Sequence, residues 1–427
     1  MQTFLIQTLG CKLNQLESEA IIDAYCAEGY LYSQNCESPS LVIVNTCTVT
    51  SKADQKARRV IRKALREYPD ARVIVTGCYA QLNKDDILKL ETDGMERLSV
   101  ISKDKIINKD GKDLFQFNPK KFSQHTRSFL KIQDGCDKRC TYCKIRLARG
   151  PSISLDKDEV LSRLRILEEN HAEAVLTGVN ISQYIERGYH TETQRHGDEE
   201  NKVFGLGELL DYLLRGTEKI AVRLSSLAPE SVNEELCAVL SRPRIRPHFH
   251  LSVQSGSDEI LKKMGRTYNA QVIENAVLLL RKAKNDPFLA CDIITGFPGE
   301  TETEFNRTYD ICKKLDFAWI HVFPYSKRQG TPAYSFKDTV AESEVTRRVK
   351  ILTDLAKQGR AGYVRRWLGS EVDVLVEEKD GFCLGTSENY LKVHIKCEKP
   401  PLPGTTARCM LTEAGNFRDY DALAAEL

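Results

Sequence analysis

The chain has 427 residues, of which 41% are hydrophobic and 29% charged, and its formal net charge is +2. This length exceeds the roughly 100 to 200 residues of one ordinary domain, so two or three domains are expected. The composition excludes a disordered chain, and the near-neutral charge excludes a polycation, so any nucleic-acid surface must be local. The N-terminus lacks a basic leader and no run approaches the ~18 apolar residues of a membrane span, which predicts a cytoplasmic protein.

Residues 1–115 are predicted to form an N-terminal domain in which one unit occurs three times. Each unit is an apolar strand (4–8, 41–45 and 72–76), a cysteine in the turn that follows, and a helix; the cysteines are Cys11, Cys47 and Cys78. Alternating strands and helices predict a Rossmann-like parallel sheet. Because the carboxyl ends of parallel strands share one edge, we expect the three cysteines to converge there.

Residues 125–365 are predicted to form a second and longer series of strands and helices. Its strands are expected at 129–133, 174–177, 221–225, 248–253, 289–295 and 319–323. Six such units favour a partial (β/α)6 barrel of the TIM type over the closed barrel of eight. A polar stretch at 186–203 is predicted to be a surface loop.

The last part of the chain, residues 368–427, follows a long predicted helix at 341–368. Its apolar residues alternate and glycines separate the alternating runs, which predicts a small all-β barrel. The expected class is therefore α/β, with a small β-barrel domain at the C-terminus.

The strongest local motif is Cys136-x3-Cys140-x2-Cys143, which follows the first predicted barrel strand. Many cysteines in a reducing compartment favour metal binding or catalysis over disulfides. Thiolates bind iron–sulfur clusters, and three ligands on a four-iron cubane leave one iron open for a substrate or cofactor. A zinc site is the alternative, but zinc usually takes four ligands and no fourth Cys or His lies near in sequence. The motif therefore favours an iron–sulfur cluster.

This spacing, on the loop after the first barrel strand, resembles the radical S-adenosylmethionine superfamily. The segments TLGCKLNQLESE, VNTCTVTSKAD and TGCYAQ around the other three cysteines resemble the N-terminal domain of the methylthiotransferases, a branch of that superfamily with a second cluster. The segments LTGVNISQY, HFHLSVQSGSDEILKKMGRTY and DIITGFPGETETEF are similar to the barrel of that family, and the C-terminal domain to its RNA-binding TRAM barrel.

The resemblance implies two 4Fe–4S clusters with different roles. A radical-generating cluster, with S-adenosylmethionine on its open iron, would be held by Cys136, Cys140 and Cys143. An auxiliary, sulfur-delivering cluster would be held by Cys11, Cys47 and Cys78. One S-adenosylmethionine would methylate a sulfur and another would generate the radical.

Within this family, TLGCKLNQLESE and NTCTVTSKADQKARR are most similar to the branch that acts on N6-threonylcarbamoyladenosine at position 37 of the tRNA anticodon loop. The resemblance implies insertion of a methylthio group at adenine C2. As partners it implies tRNA, a low-potential electron donor of the flavodoxin or ferredoxin type, and a sulfur source. Two alternatives stay open: the same chemistry on isopentenyladenosine tRNA or a ribosomal-protein aspartate, and a non-catalytic iron–sulfur RNA-binding or cluster-carrier protein.

Two further sets of candidate residues accompany the resemblance. The expected S-adenosylmethionine pocket is lined by Tyr142, Gly178, Asn180, Ser226, Gln254, Gly296 and Gly299. Ordinary turn chemistry is the alternative for the segments that begin at Gln254 and Gly296. The candidates for RNA contact are Arg59, Arg62, Lys63 and Arg66 on one helix face, and Arg146 and Arg149 in a basic region, which also includes Lys131, around the compact motif. A solvated helix surface is an equal alternative for the first four.

Overall fold

The computed structural model describes residues 2–92, 94–107, 115–117, 127–186, 204–379, 382–397 and 401–427. Nearly all of the surface loop predicted at 186–203 lies outside these residues. Three units follow one another along the described chain: a parallel sheet, a partial barrel and a closed β-barrel. The domain limits given above remain predictions.

The N-terminal unit is a five-stranded parallel sheet with helices. Its elements are β1 (Thr3–Thr8), α1 (Lys12–Ala27), β2 (Leu31–Tyr32), β3 (Leu41–Thr46), α2 (Ser51–Glu67), β4 (Arg72–Gly77), α3 (Cys78–Leu82), α4 (Lys84–Leu88) and β5 (Leu98–Val100). The strands pair in parallel in the order β2-β1-β3-β4-β5. Separate apolar clusters lie on the two faces, as is usual for parallel strands. The predicted Rossmann-like sheet is confirmed.

The central unit contains six parallel barrel strands. Its elements are β6 (Ser128–Lys131), β7 (Gln133–Asp134), α5 (Ile145–Arg149), β8 (Ile153–Ser154), α6 (Lys157–Glu168), β9 (Glu173–Thr177), β10 (Ile185–Glu186), β11 (Phe204–Gly205), α7 (Leu206–Gly216), β12 (Ala221–Leu224), α8 (Glu234–Leu240), β13 (His248–Gln254), α9 (Asp258–Lys263), α10 (Ala270–Ala283), β14 (Phe288–Thr295), α11 (Glu302–Lys314), β15 (Trp319–Pro324) and α12 (Glu342–Trp367). Strands β6, β9 and β12 form one parallel sheet and β13, β14 and β15 another.

Two isolated parallel bridges, Val222 with Ile245 and Leu227 with Leu251, join these two sheets. The result is the open six-stranded barrel that the sequence predicts. Apolar side chains from its strands and outer helices form one large core.

The C-terminal unit is a closed barrel of five strands. Its elements are β16 (Glu371–Lys379), β17 (Phe382–Ser387), β18 (Lys392–Lys396), β19 (Thr406–Ala414) and β20 (Ala422–Glu426). The strands close in the order β16-β17-β18-β20-β19. This confirms the predicted all-β barrel. The alternating pattern predicts strands only at 372–376, 390–395 and 407–411, so it misses β17 and β20.

The three units share their apolar cores. Phe129 and Val175 of the central barrel belong to the core on one face of the N-terminal sheet. Phe288 and Tyr363 of the central unit belong to the core of the C-terminal barrel. Each unit therefore depends on its neighbour for part of its burial. Among the described residues, no helix combines the length and the apolar character that crossing a membrane would need.

The C-terminal barrel also reaches the amino-terminal end of the central strands. Tyr390, in the turn between β17 and β18, adopts a positive φ of 69°. Its ring stacks on the buried His248 with 3.8 Å between ring centroids. The Lys12 ammonium and the Arg223 guanidinium lie 5.7 and 5.2 Å from the Tyr390 ring centroid. This turn covers the ends of β13 and β14, opposite the carboxyl ends of the strands.

Candidate active site

The compact triad, Cys136, Cys140 and Cys143, lies on the loop at the carboxyl end of β6. Backbone hydrogen bonds hold this loop, because the Cys136 N–H donates to the Gly150 carbonyl at 3.1 Å and the Cys143 N–H to the Cys140 carbonyl at 3.2 Å. Burial is the main cause that raises the pKa of the Cys143 thiol to about 11, and the nearby Cys140 and Cys136 thiols contribute. The three thiols therefore form one group at the barrel mouth.

The dispersed triad, Cys11, Cys47 and Cys78, comes from three strand ends of the N-terminal sheet. Cys11 precedes α1, Cys47 follows β3, and Cys78 is the first residue of α3 after β4. Burial is the main cause that raises the pKa of the Cys47 thiol to about 11, and the neighbouring Cys11 and Cys78 thiols add to the rise. The structure thus brings the three cysteines together at one sheet edge.

Both triads have the chemistry of iron–sulfur ligands. All six thiols are free, and none is bonded in a disulfide. The described residues include no group of three or more His, Cys, Asp or Glu side chains that could hold a single metal ion. Cubane ligands each bind a different iron, so their sulfurs need not meet at one point. Each triad supplies the three thiol ligands that leave one iron of a four-iron cubane open.

Glycines make room beside each triad. Gly10 has a φ of +111°, and a Cβ placed there would lie 2.6 Å from the Cβ of Cys47. Gly265 has a φ of +73°, and a Cβ there would lie 3.1 Å from the carbonyl oxygen of Arg139, in the loop of the compact triad. Only glycine meets both requirements, a left-handed backbone and the absence of a side chain.

Three of the predicted pocket residues lie beside the compact triad. The Tyr142 hydroxyl donates to Gln254 Oε1 at 3.2 Å and accepts a hydrogen bond from Arg266. Gln254, the last residue of β13, has a φ of +67°. The side chain of Asn180 lies close to the thiol of Cys136. Tyr142, Gln254 and Asn180 thus all lie next to the loop of the compact triad.

The remaining pocket candidates are placed by the packing of the chain itself. A Cβ at Gly178 would lie 2.8 Å from the Gln133 carbonyl oxygen. Gly296 and Gly299 have φ values of +77° and +83°, and the side chains of Val345 and Lys263 lie against them. Ser226 lies two residues beyond β12. For these four residues a place in a cofactor pocket remains a prediction.

Two buried arginines join the N-terminal sheet to the central barrel near the triads. The Arg149 Nε–H donates to Cys78 Sγ at 3.2 Å, and its Nη1 donates to Glu17 Oε1 at 2.9 Å. The Arg328 Nη2 donates to the Thr48 carbonyl at 2.8 Å and lies 2.9 Å from Asp54 Oδ2. Charge-assisted contacts of this kind orient the two units relative to each other.

Comparison with known proteins gives two family matches on these two units. Residues 3–95 match Uncharacterized protein family UPF0004, and residues 130–312 match the Radical SAM superfamily. The threonylcarbamoyladenosine tRNA methylthiotransferase MtaB of Treponema pallidum (strain Nichols) is 36% identical, over 91% of this chain and 94% of that protein. The protein of the same name from Thermotoga maritima is 35% identical, over 92% of this chain and 91% of that protein.

The chain belongs to the MtaB family of tRNA methylthiotransferases. As a member of the MtaB family it is a radical S-adenosylmethionine enzyme, so a 4Fe–4S cluster and S-adenosylmethionine are its cofactors. The radical S-adenosylmethionine methyltransferase TsrM from Kitasatospora setae, solved with cobalamin and a 4Fe–4S cluster, has a similar fold. Its TM-score is 0.52 at 14% identity, over 78% of this chain and 74% of that chain.

The basic residues on α2 are candidates for RNA contact in this MtaB family member. Arg59, Arg62, Lys63 and Arg66 are all exposed and together line one surface concavity of about 420 Å³. Lys63 lies 3.6 Å from Glu67. Arg146 is exposed beside the compact triad and donates to the Asp137 carbonyl at 2.9 Å. These five side chains remain candidates for RNA contact in this MtaB family member.

Arg149 and Lys131 do not fit the RNA-contact prediction. The side chain of Arg149 is only 3% exposed and that of Lys131 1%. Arg149 pairs with Glu17 and Asp134, and Lys131 pairs with Asp134. Both side chains are buried and paired with carboxylates, so they are not at the surface where RNA could bind. The prediction of RNA contact is wrong for them.

Glu17 is the residue that the sequence reasoning missed. Its position on α1 contains a usable signal, because it lies four residues after the buried Leu13 and four before the buried Ile21. A carboxylate on the apolar stripe of a helix needs a buried cation. That signal points to an interior partner such as Arg149.

Proposed function

We propose that this chain inserts a methylthio group at C2 of N6-threonylcarbamoyladenosine at position 37 of tRNA anticodon loops, with two 4Fe–4S clusters and S-adenosylmethionine. One observation carries the proposal: two separate groups of three free thiols lie at neighbouring edges of two units that Arg149 bridges. The names of the relatives support the choice of tRNA nucleoside.

The two triads have different roles in this proposal. Cys136, Cys140 and Cys143 hold the radical cluster, and Cys11, Cys47 and Cys78 hold the auxiliary cluster. When bound, the two clusters supply an electron for the cleavage of S-adenosylmethionine and an iron position that carries the sulfur to be transferred.

The protein's own side chains position the loop of the compact triad. Asn180 lies close to the Cys136 thiol, and the hydrogen bond between Tyr142 and Gln254 links the motif loop to the end of β13. Arg266 donates to the Tyr142 hydroxyl and so keeps that ring in place. These contacts fix the loop against the barrel, as preorganised sites require.

The basic concavity on α2 is the proposed contact for tRNA phosphates, with Arg146 beside the compact triad as a second contact. Four cations on one helix face attract the phosphate backbone without reading sequence. A tRNA substrate places the reaction in the cytoplasm. An electron donor of the flavodoxin or ferredoxin type and a separate sulfur source complete the proposed set of partners.

Mass spectrometry of tRNA nucleosides tests the proposal. In a deletion strain we expect N6-threonylcarbamoyladenosine to accumulate and its 2-methylthio form to vanish. The wild-type gene should restore the modified nucleoside, whereas a Cys47→Ala gene should not. Loss of 2-methylthio-isopentenyladenosine instead, or of methylthio-aspartate in a ribosomal protein, would identify one of the alternative substrates and contradict the proposal.

A second experiment distinguishes an enzyme from a cluster carrier. Reconstituted protein is incubated anaerobically with dithionite and S-adenosylmethionine, and 5′-deoxyadenosine is quantified. The enzyme is expected to form it, and a carrier is not.

A further inference from the structure

The guanidinium of Arg149 is buried between the two triads, and all three of its nitrogens donate hydrogen bonds. A guanidinium has five N–H groups in a planar fork. Nε donates to Cys78 Sγ at 3.2 Å, Nη1 donates to Glu17 Oε1 at 2.9 Å and to Asp134 Oδ2 at 3.0 Å, and Nη2 donates to Asn14 Oδ1 at 3.2 Å. One ligand candidate of the dispersed triad thus receives a hydrogen bond from a residue of the central unit.

The carboxylates around Arg149 are shared with other cations. Glu17 also pairs with Lys103, and Asp134 also pairs with Lys131 at 2.5 Å. All five charged side chains are at most 4% exposed. Because each carboxylate divides its charge between two cations, the guanidinium keeps positive potential toward Cys78. In a poorly screened interior this potential favours a negatively charged sulfur.

The same arginine is tied to the compact triad. Asp134, which accepts from Arg149, also accepts the Gly135 N–H at 2.7 Å. Cys136 follows Gly135, and its own N–H donates to the carbonyl of Gly150, the residue after Arg149, at 3.1 Å. Arg149 therefore contacts the dispersed triad through its side chain and the compact triad through its neighbours in sequence.

We propose that Arg149 is a positioning residue for the auxiliary cluster: its Nε–H donates a charge-assisted hydrogen bond to the ligand sulfur of Cys78. The inference rests on the proposed function, because it requires the dispersed triad to hold a cluster. Hydrogen bonds and positive charge at a ligand sulfur stabilise the reduced cluster and raise its reduction potential. The bond also holds Cys78 in a fixed position relative to the compact triad.

The test uses full-length protein in which Cys136, Cys140 and Cys143 are replaced by alanine, so that bound iron reports on the dispersed triad alone. After reconstitution, iron content, the midpoint potential, the EPR spectrum of the reduced cluster and the rate of iron loss to a chelator are measured. Adding Arg149→Gln should shift the midpoint potential to a more negative value and speed iron loss by about 10-fold or more.

Arg348→Gln is the matched control, because Arg348 is also a buried arginine, 4% exposed, and it pairs with two carboxylates, Glu300 and Glu344, within the central unit. We expect it to leave the midpoint potential and EPR spectrum unchanged. Arg149→Lys keeps a positive charge but not the planar fork, and should give a smaller shift in the same direction. If Arg149→Gln does not fold, the lysine variant decides the question.

Two outcomes would overturn the inference alone: an unchanged potential and chelation rate in the Arg149 variants, or an equal shift in Arg348→Gln. A parent protein with native Arg149 that takes up no iron would instead refute the second cluster itself, and the role of Arg149 with it.

Discussion

The compact and dispersed triads are built in different ways from the same residue type. Cys136, Cys140 and Cys143 lie on one loop that is held by backbone hydrogen bonds. Cys11, Cys47 and Cys78 come from strand ends that meet only when β1, β3 and β4 pair in register. A site on one loop needs local structure, whereas a site assembled from several strand ends needs the whole sheet. Damage to the N-terminal sheet should therefore remove the dispersed site first.

The largest expected effects come from removing one cysteine of each triad. Cys140→Ala should abolish both 5′-deoxyadenosine formation and methylthiolation, because the radical cluster loses a ligand. Cys47→Ala should leave 5′-deoxyadenosine formation intact but stop methylthiolation, because only sulfur delivery is lost. Quantifying 5′-deoxyadenosine and the methylthiolated nucleoside in one anaerobic assay measures both. If the Cys47 variant still methylthiolates tRNA, the division of roles is wrong.

Glu17→Gln should weaken the dispersed site through the fold. Removing one charge of a buried ion pair costs about 3–5 kcal/mol, because its partner stays buried. We expect the free energy of unfolding in urea to fall by this amount at pH 7, and the iron of the dispersed triad to be lost at lower urea than that of the compact triad. If iron is lost from both triads at the same urea concentration, the expected weakness of the dispersed site is contradicted.

The same variant predicts a change in acid sensitivity. Burial alone would raise the pKa of Glu17, but Arg149 and Lys103 lower it below its ordinary value of 4.5. A carboxylate with a depressed pKa in the folded state contributes stability that is complete above about pH 4.5 and is lost as the pH falls through the folded-state value. Below this pH, the free energy of unfolding should therefore fall more steeply for the wild type than for Glu17→Gln. Urea titrations at several pH values measure this difference.

Two glycine variants compare the triads with a smaller perturbation. Gly10→Ala introduces a strained φ and a contact with Cys47, whereas Gly265→Ala strains the loop of the compact triad. Each should cost about 1–3 kcal/mol. We expect Gly10→Ala to lower the iron bound by the dispersed triad and Gly265→Ala to lower 5′-deoxyadenosine formation. The Gly10 effect should be larger, because its Cβ would approach to 2.6 Å rather than 3.1 Å.

The smallest expected effect concerns the basic concavity on α2. Arg62→Ala should weaken tRNA binding a few-fold and reduce the slope of log affinity against log salt by about 1, because one phosphate contact is lost. Cleavage of S-adenosylmethionine without tRNA should not change. Arg215→Ala, at an exposed arginine on α7, is the control and should leave the salt slope as in wild type. If Arg62→Ala and Arg215→Ala give the same salt slope, the proposal that α2 contacts RNA is wrong.

Periodicity was enough to predict the sheet and the open barrel, since both depend on strands that alternate with helices. The two strands of the C-terminal barrel that it missed have weak local signals. β17 contains Gly385, and β20 reads ALAAE, with small residues of low strand propensity. Their conformation comes from pairing with β16, β18 and β19.

For the site, the spacing of Cys136, Cys140 and Cys143 and the place of the other three cysteines after predicted strands were enough to predict two groups of thiols. Their roles as cluster ligands stay a prediction. Charge alone misplaced Arg149, which was predicted to be at the surface. Its carboxylate partner Glu17 lies 132 residues away in sequence. No local pattern around Arg149 reports such a partner, so its burial follows only from the packing of the two units.

The turn that carries Tyr390 covers the amino-terminal ends of β13 and β14 and makes the two ends of the central barrel different. His248 is buried beneath this ring, at the start of β13, while the compact triad follows β6 at the carboxyl end of the strands. Small molecules and RNA would then both reach the site from the carboxyl ends of the barrel strands. A docked RNA would obstruct the exit of small reaction products, so turnover should follow a compulsory order in which small molecules exchange before the RNA binds.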